Sequence, residues 1–144
     1  DRTDMLIAVD FDGTIVEHRY PEIGREIPFA TDTLKMLIKE GHRLILWSVR
    51  EGKLLDEAVE WCRERGVEFY SVNKDYPEET IEDKNYSRKL KVGMFIDDRN
   101  VGGLPDWGII YKMVSEKKSY RDILLEELGK EEYDVKPKRK WFPW

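Results

Sequence analysis

Apolar and polar positions fall in blocks along this chain. Met5 to Val9 is a short apolar run that stops at Asp10-Phe11-Asp12-Gly13-Thr14, the pattern of a fully buried strand running into a turn. From Thr31 to Glu40, Leu34, Leu37 and Ile38 recur at helical spacing and Gly41 supplies a stop, which predicts a helix. Leu44 to Trp47 predicts the next buried strand, and Leu54, Leu55, Ala58, Trp61 and Cys62 then form a helical stripe closed by Gly66. Val67 to Val72 predicts a weaker strand and Val92 to Ile96 a strong one ending at Asp97-Asp98. Ile109 to Met113 reads as a further strand, before a last helix around Tyr120 to Leu128. Residues 73 to 90 are polar and irregular.

Strands that alternate with helices specify an α/β fold, a Rossmann-like and mostly parallel sheet with helices on both faces and right-handed crossovers. Ligands of such sheets bind beyond the C-terminal strand ends, near the point where strand order reverses. Asp10, Asp12, Ser48, Asp97 and Asp98 all stand at predicted strand ends. The 144 residues fit one domain. Its expected extent is residues 1–128, with 129–144 as a tail, because Lys136 to Trp144 is a basic and aromatic stretch unlike the rest.

Composition narrows the function classes. Charged residues make up 38% and hydrophobic ones 40%, including five Trp, so the chain is neither disordered nor membrane-like. The formal net charge of −5 argues against a general nucleic-acid surface, while leaving room for a site that takes one phosphate. Cys62 is the only cysteine, which removes intramolecular disulfides and cysteine-based zinc clusters and suits a reducing cytoplasm. No run approaches the ~18 apolar residues of a membrane span, and the first residues lack the pattern of a signal peptide. The chain opens with Asp, not Met.

Side chains alternate across a strand, so Asp10 and Asp12 leave the sheet on one side. Gly13 allows a sharp bend directly after them, and Thr14 offers a hydroxyl and backbone N–H groups to an anion. An EF-hand loop would need its glycine at the sixth position, whereas Gly13 is at the fourth. Asp97 and Asp98, adjacent at the end of a buried run, are costly unless a cation pairs them. With Asp10 and Asp12 they form an oxygen-rich cluster of the kind that hard Mg²⁺ prefers. Ser48 is placed to donate its hydroxyl to a phosphate oxygen, and equally to cap a helix through Ser48-x-x-Glu51. Arg50 is equally suited to clamping a substrate anion and to a surface ion pair. A phosphoryl site also calls for a lysine, and Lys74, Lys84, Lys89 and Lys91 all precede the fourth strand. His18, His42, Trp61 and Cys62 read as surface or packing residues.

Through Asp10-Phe11-Asp12-Gly13-Thr14, Ser48, a lysine before the fourth strand and Asp97-Asp98, residues 5 to 113 resemble the haloacid dehalogenase-like phosphatase superfamily. The first motif is the specific one; the order and spacing of the others complete the set. The resemblance implies that Asp10 is the nucleophile and Asp12 the general acid/base of an aspartyl-phosphate mechanism. It implies Mg²⁺ held by Asp10, the backbone carbonyl of Asp12 and Asp97, with Asp98 beside it, and Thr14 and Ser48 on phosphate oxygens. Among small capless members the lysine often lies eight residues before the first Asp of the last motif, which selects Lys89 here, with Lys74 second. Only about 33 residues separate Thr14 from Ser48, too few for a large cap domain.

The expected activity is hydrolysis of a small phosphorylated metabolite such as a sugar phosphate. A phosphatase of nucleotides or polynucleotide ends is the second enzymatic reading, and a phospho-aspartate signalling or binding module without turnover is the rival from another class. An open site of this kind is also compatible with cover by a second copy of the chain, for which the aromatic tail is a candidate.

Overall fold

A computed structural model describes residues 4–74 and 92–135. The elements run β1 (Leu6–Val9), α1 (Ala30–Lys39), β2 (Arg43–Leu46), α2 (Gly52–Glu64), β3 (Ser71–Val72), β4 (Met94–Ile96), α3 (Trp107–Glu116) and α4 (Tyr120–Val135). The four strands form one parallel sheet in the order β3-β2-β1-β4. This is the α/β Rossmann-like class the alternation predicts, and no cap domain interrupts the described residues. No helix among them is long and apolar enough to cross a membrane.

Leu6–Val9 and the Leu44–Leu46 part of β2 are continuous apolar runs, as covered parallel strands require. Ile7, Ala8 and Val9 of β1 and Leu44, Ile45 and Leu46 of β2 are buried, as are Leu34 and Leu37 of α1 and Ala58 and Cys62 of α2. Each such Leu, Ile or Val contributes about 1.5–3 kcal/mol by leaving water. Helix α1 begins on a cap from upstream: a Glu26 carboxylate oxygen accepts bonds from Thr31 N at 2.8 Å and Thr31 Oγ1 at 2.6 Å. Helix α2 ends on Gly66, at φ +88°, where Val67 N reaches back to the Cys62 carbonyl. His42 has a packing role, its Nδ1 accepting from Met5 N at 2.9 Å.

The order of the strands fixes where the site lies. From β1 the chain moves outward through β2 to β3, then returns to the other side of β1 as β4. Strand order therefore reverses between β1 and β4, and the residues after these two strands flank the switch point.

Three expectations need correction. Ile109 to Met113 is not a strand but lies inside α3, where buried Trp107, Ile110 and Val114 recur at helical spacing. Val67 to Val72 pairs only over Ser71–Val72. The last helix continues to Val135, so a division at residue 128 cuts through it. The described residues fall into two compact units, divided after Trp107. Within the second, Ser119 and Asp122 exchange side chain to backbone bonds of 3.0 and 3.1 Å, a capping box that starts α4.

Candidate active site

Asp10 is the first residue past β1, and its N–H donates to the Ile96 carbonyl at 2.9 Å, which holds the ends of β1 and β4 level. The chain then turns tightly. Thr14, Ile15 and Val16 all send their N–H groups to the Phe11 carbonyl, and Gly13 takes φ +83°. A Cβ on Gly13 would lie 2.4 Å from Asp98 Oδ2, so both the backbone angle and the close approach of β4 require glycine.

Asp10, Asp97 and Asp98 each offer a carboxylate oxygen, all within 4.8 Å of one another. Burial, then the charge of Asp97 and contact with Asp98, push the Asp10 carboxyl up to about 7, against the donated Phe11 N–H that lowers it. Three carboxylate oxygens this close together, with Asp10 resisting its charge, are a donor set that fits a hard divalent cation such as Mg²⁺.

Thr14 is fully buried. Its hydroxyl accepts from Asp98 N at 3.0 Å and faces Asp98 Oδ1 at 3.3 Å and Asp10 Oδ2 at 3.5 Å. The hydroxyl expected on a phosphate oxygen thus braces the carboxylate cluster instead. The Thr14 carbonyl accepts from Trp107 Nε1 at 3.0 Å.

Asp12 stands apart from that cluster. Its two oxygens accept from Arg50 Nε and Nη2, both at 2.8 Å, in a forked pair that is almost wholly buried. The Asp12 carboxylate, counted with the acidic cluster in the sequence, is therefore a partner of Arg50, while the metal contact implied for Asp12 is its backbone carbonyl. The expected substrate clamp is likewise corrected: Arg50 has no exposed surface and is bonded inside the protein. The Asp12 carboxylate in turn raises the pKa of Arg50.

A cavity of about 740 Å³ opens over these strand ends and is lined by Asp10, Asp12, Ser48 and Asp97 together with His18, Tyr20, Trp47, Asn73 and Arg99. Ser48 reaches it as expected but does not form the capping box, because α2 starts later, at Gly52, and Ser48 Oγ accepts from Arg50 N at 3.1 Å. Asn73, at φ +58°, fixes the same turn by accepting from Ser48 N at 2.8 Å through Oδ1. Asn tolerates that left-handed backbone better than most residues, and this was the signal in the sequence that could have marked it. His18 and Tyr20 carry no such signal. Among the described residues no lysine lines the cavity. Lys74 is described, its carbonyl accepting from Ser71 Oγ, whereas Lys84, Lys89 and Lys91 lie outside the described residues.

No family model matches the chain, and no curated protein matches it. A solved structure does: a conserved protein from Bacteroides thetaiotaomicron is 72% identical, with a TM-score of 0.79, over 83% of this chain and 97% of that one.

Proposed function

This chain belongs to the same family as that conserved Bacteroides thetaiotaomicron protein, and we propose that it is a magnesium-dependent phosphomonoester hydrolase working through an aspartyl-phosphate on Asp10. The observation that carries the reading is the division of labour between carboxylates at the switch point. Asp10 shares a three-oxygen cluster with Asp97 and Asp98, while Asp12, two residues on, is held out of it by Arg50 and still faces the cavity. In this reading one carboxylate belongs to the proposed cation site and another is kept free of it, as nucleophilic and proton-transfer roles require. The resemblance to haloacid dehalogenase-like phosphatases supports the same assignment.

In the first half-reaction an Asp10 oxygen attacks phosphorus in line, the bond to the leaving oxygen breaks, and Asp12 gives that oxygen a proton. In the second, Asp12 takes a proton from water, whose oxygen attacks the acyl phosphate and releases inorganic phosphate and free Asp10. Asp10, Asp97 and Asp98 would hold magnesium, which when bound would neutralise the phosphoryl charge and that of the carboxylates themselves. Ser48 offers its hydroxyl to a phosphate oxygen from the cavity wall. The cavity suits a small phosphorylated metabolite such as a sugar phosphate.

Phosphate release from sugar phosphates, nucleotides and an aryl phosphate, with magnesium or EDTA, tests the reading. Turnover that needs magnesium and disappears in Asp10→Asn is the expected result. Full activity in Asp10→Asn, or release from no compound, overturns it.

A further inference from the structure

Arg50 has the five N–H donors of a guanidinium, and each finds an acceptor within the fold. Nε and Nη2 take the two oxygens of Asp12 at 2.8 Å. Nη2 also donates to the Glu22 carbonyl at 2.9 Å, and Nη1 to the carbonyls of Pro21 at 3.2 Å and Leu54 at 3.5 Å. The guanidinium carbon lies 5.2 Å from the Phe11 ring centroid and 5.1 Å from that of Tyr20, within cation–π reach of both. No donor is left over for a substrate. Tyr20 lines the cavity, so one buried cation touches both the second carboxylate of the site and a wall of the space where a substrate sits.

A buried ion pair is weak evidence for stability, because desolvation offsets most of its attraction and a well-packed apolar pair often does as well. What it supplies is a fixed geometry. We propose that Arg50 is a positioning residue that binds no substrate: it fixes the Asp12 carboxylate for proton transfer and ties the 20–22 segment to it, so that the Tyr20 wall and the acid/base group move as one unit.

This role rests on the phosphohydrolase reading and makes a claim that reading does not. Proton donation matters for an alkyl ester, whose leaving oxygen is a poor anion, and little for an aryl ester such as p-nitrophenyl phosphate. kcat/KM reports the steps up to loss of the leaving group, so the second half-reaction, common to both esters, does not enter.

The experiment compares wild type and Arg50→Lys on a hexose phosphate and on p-nitrophenyl phosphate, with inorganic phosphate as competitive inhibitor. The expected loss in kcat/KM is at least about tenfold greater for the hexose phosphate, with the inhibition constant of phosphate changed by less than about threefold, as suits a residue with no donor free for the anion. Equal losses on the two esters, or an inhibition constant raised about a hundredfold in the manner of a lost charged clamp, overturn the role while leaving the phosphohydrolase reading intact. Hydrolysis of neither ester by wild type overturns that reading, and the role falls with it.

Thermal unfolding of the magnesium-free protein reads the pair without activity. Arg50→Met is expected to lower Tm by about 10 °C, because it strands a buried carboxylate. Adding Asp12→Asn to it should return part of that loss, and additive losses would overturn the pairing.

Discussion

Thr14 and Asp98 are bonded across the gap between the first and last strands of the sheet: Asp98 N donates to Thr14 Oγ1 at 3.0 Å, and that hydroxyl lies 3.3 Å from Asp98 Oδ1. They are 84 residues apart in sequence. Thr14→Val keeps the shape and removes the acceptor, leaving the Asp98 N–H without its partner, at a cost of about 1–3 kcal/mol. Thr14→Ser keeps the hydroxyl. Unfolding measured with and without magnesium should find Ser close to wild type, and Val both less stable and less stabilised by the cation. Equal loss in both variants would mean that the methyl group, not the hydroxyl, holds the strands.

Asp10 predicts a pH dependence of known sign. Its folded carboxyl titrates near 7, above the ordinary 3.8, chiefly because of burial and the charge of Asp97. The folded state therefore holds more protons than the unfolded one between these values, and stability falls as pH rises through that window. Between pH 5 and pH 8 the magnesium-free protein should lose on the order of 1–2 kcal/mol from this group, allowing for solvent screening on its open side. Magnesium should restore stability most at pH 8, where Asp10 carries its charge. In Asp10→Asn this part of the slope should vanish, and a slope unchanged in Asp10→Asn would assign it to other groups.

The parts legible in the sequence were those with local causes. β1 and β2 read as strands because buried parallel strands are unbroken apolar runs, and Asp10, Asp97 and Asp98 stood out as carboxylates placed where such runs stop. Ile109 to Met113 misled because so short a run carries either period. Only a window widened to Trp107 and Val114 reveals the helical one. The fate of Arg50 was out of reach for a different reason. Its shortest bonds run to Glu22, 28 residues away, and Asp12, 38 away, and no local pattern says which of two equally plausible roles such a side chain takes. Thr14 failed in the same way, since its bond to Asp98 exists only once β4 lies beside β1.

Gly13 and Gly52 form a natural pair of controls, because both have positive φ and only one is crowded. At Gly13, φ +83°, a Cβ meets Asp98 Oδ2 at 2.4 Å; at Gly52, φ +54°, nothing lies within 4 Å. Alanine at either position carries backbone strain of about 1–2 kcal/mol. Gly13→Ala must in addition displace the Asp98 carboxylate, and should weaken magnesium binding by about tenfold or more, the scale seen when a ligand loses its support. Calorimetric titration with magnesium separates the two: Gly52→Ala should lose stability alone. Equal magnesium affinity in both variants would remove Asp98 from the cation site.

Asn73 separates the stability of the cavity wall from its fitness for an anion. Its Oδ1 accepts from Ser48 N at 2.8 Å, its backbone sits at φ +58°, and it faces the cavity. Asn73→Asp keeps the acceptor and a tolerated backbone, so its stability should stay within about 0.5 kcal/mol of wild type. The new negative charge, however, faces the space proposed for phosphate, and should raise the inhibition constant of inorganic phosphate by about tenfold. Asn73→Gly should behave in the opposite way. It keeps the backbone angle but leaves Ser48 N without its partner, costing about 1 kcal/mol, with only a small effect on phosphate. If Asn73→Asp leaves phosphate inhibition untouched, the anion does not sit against this wall, and Ser48 loses its place as a phosphate contact.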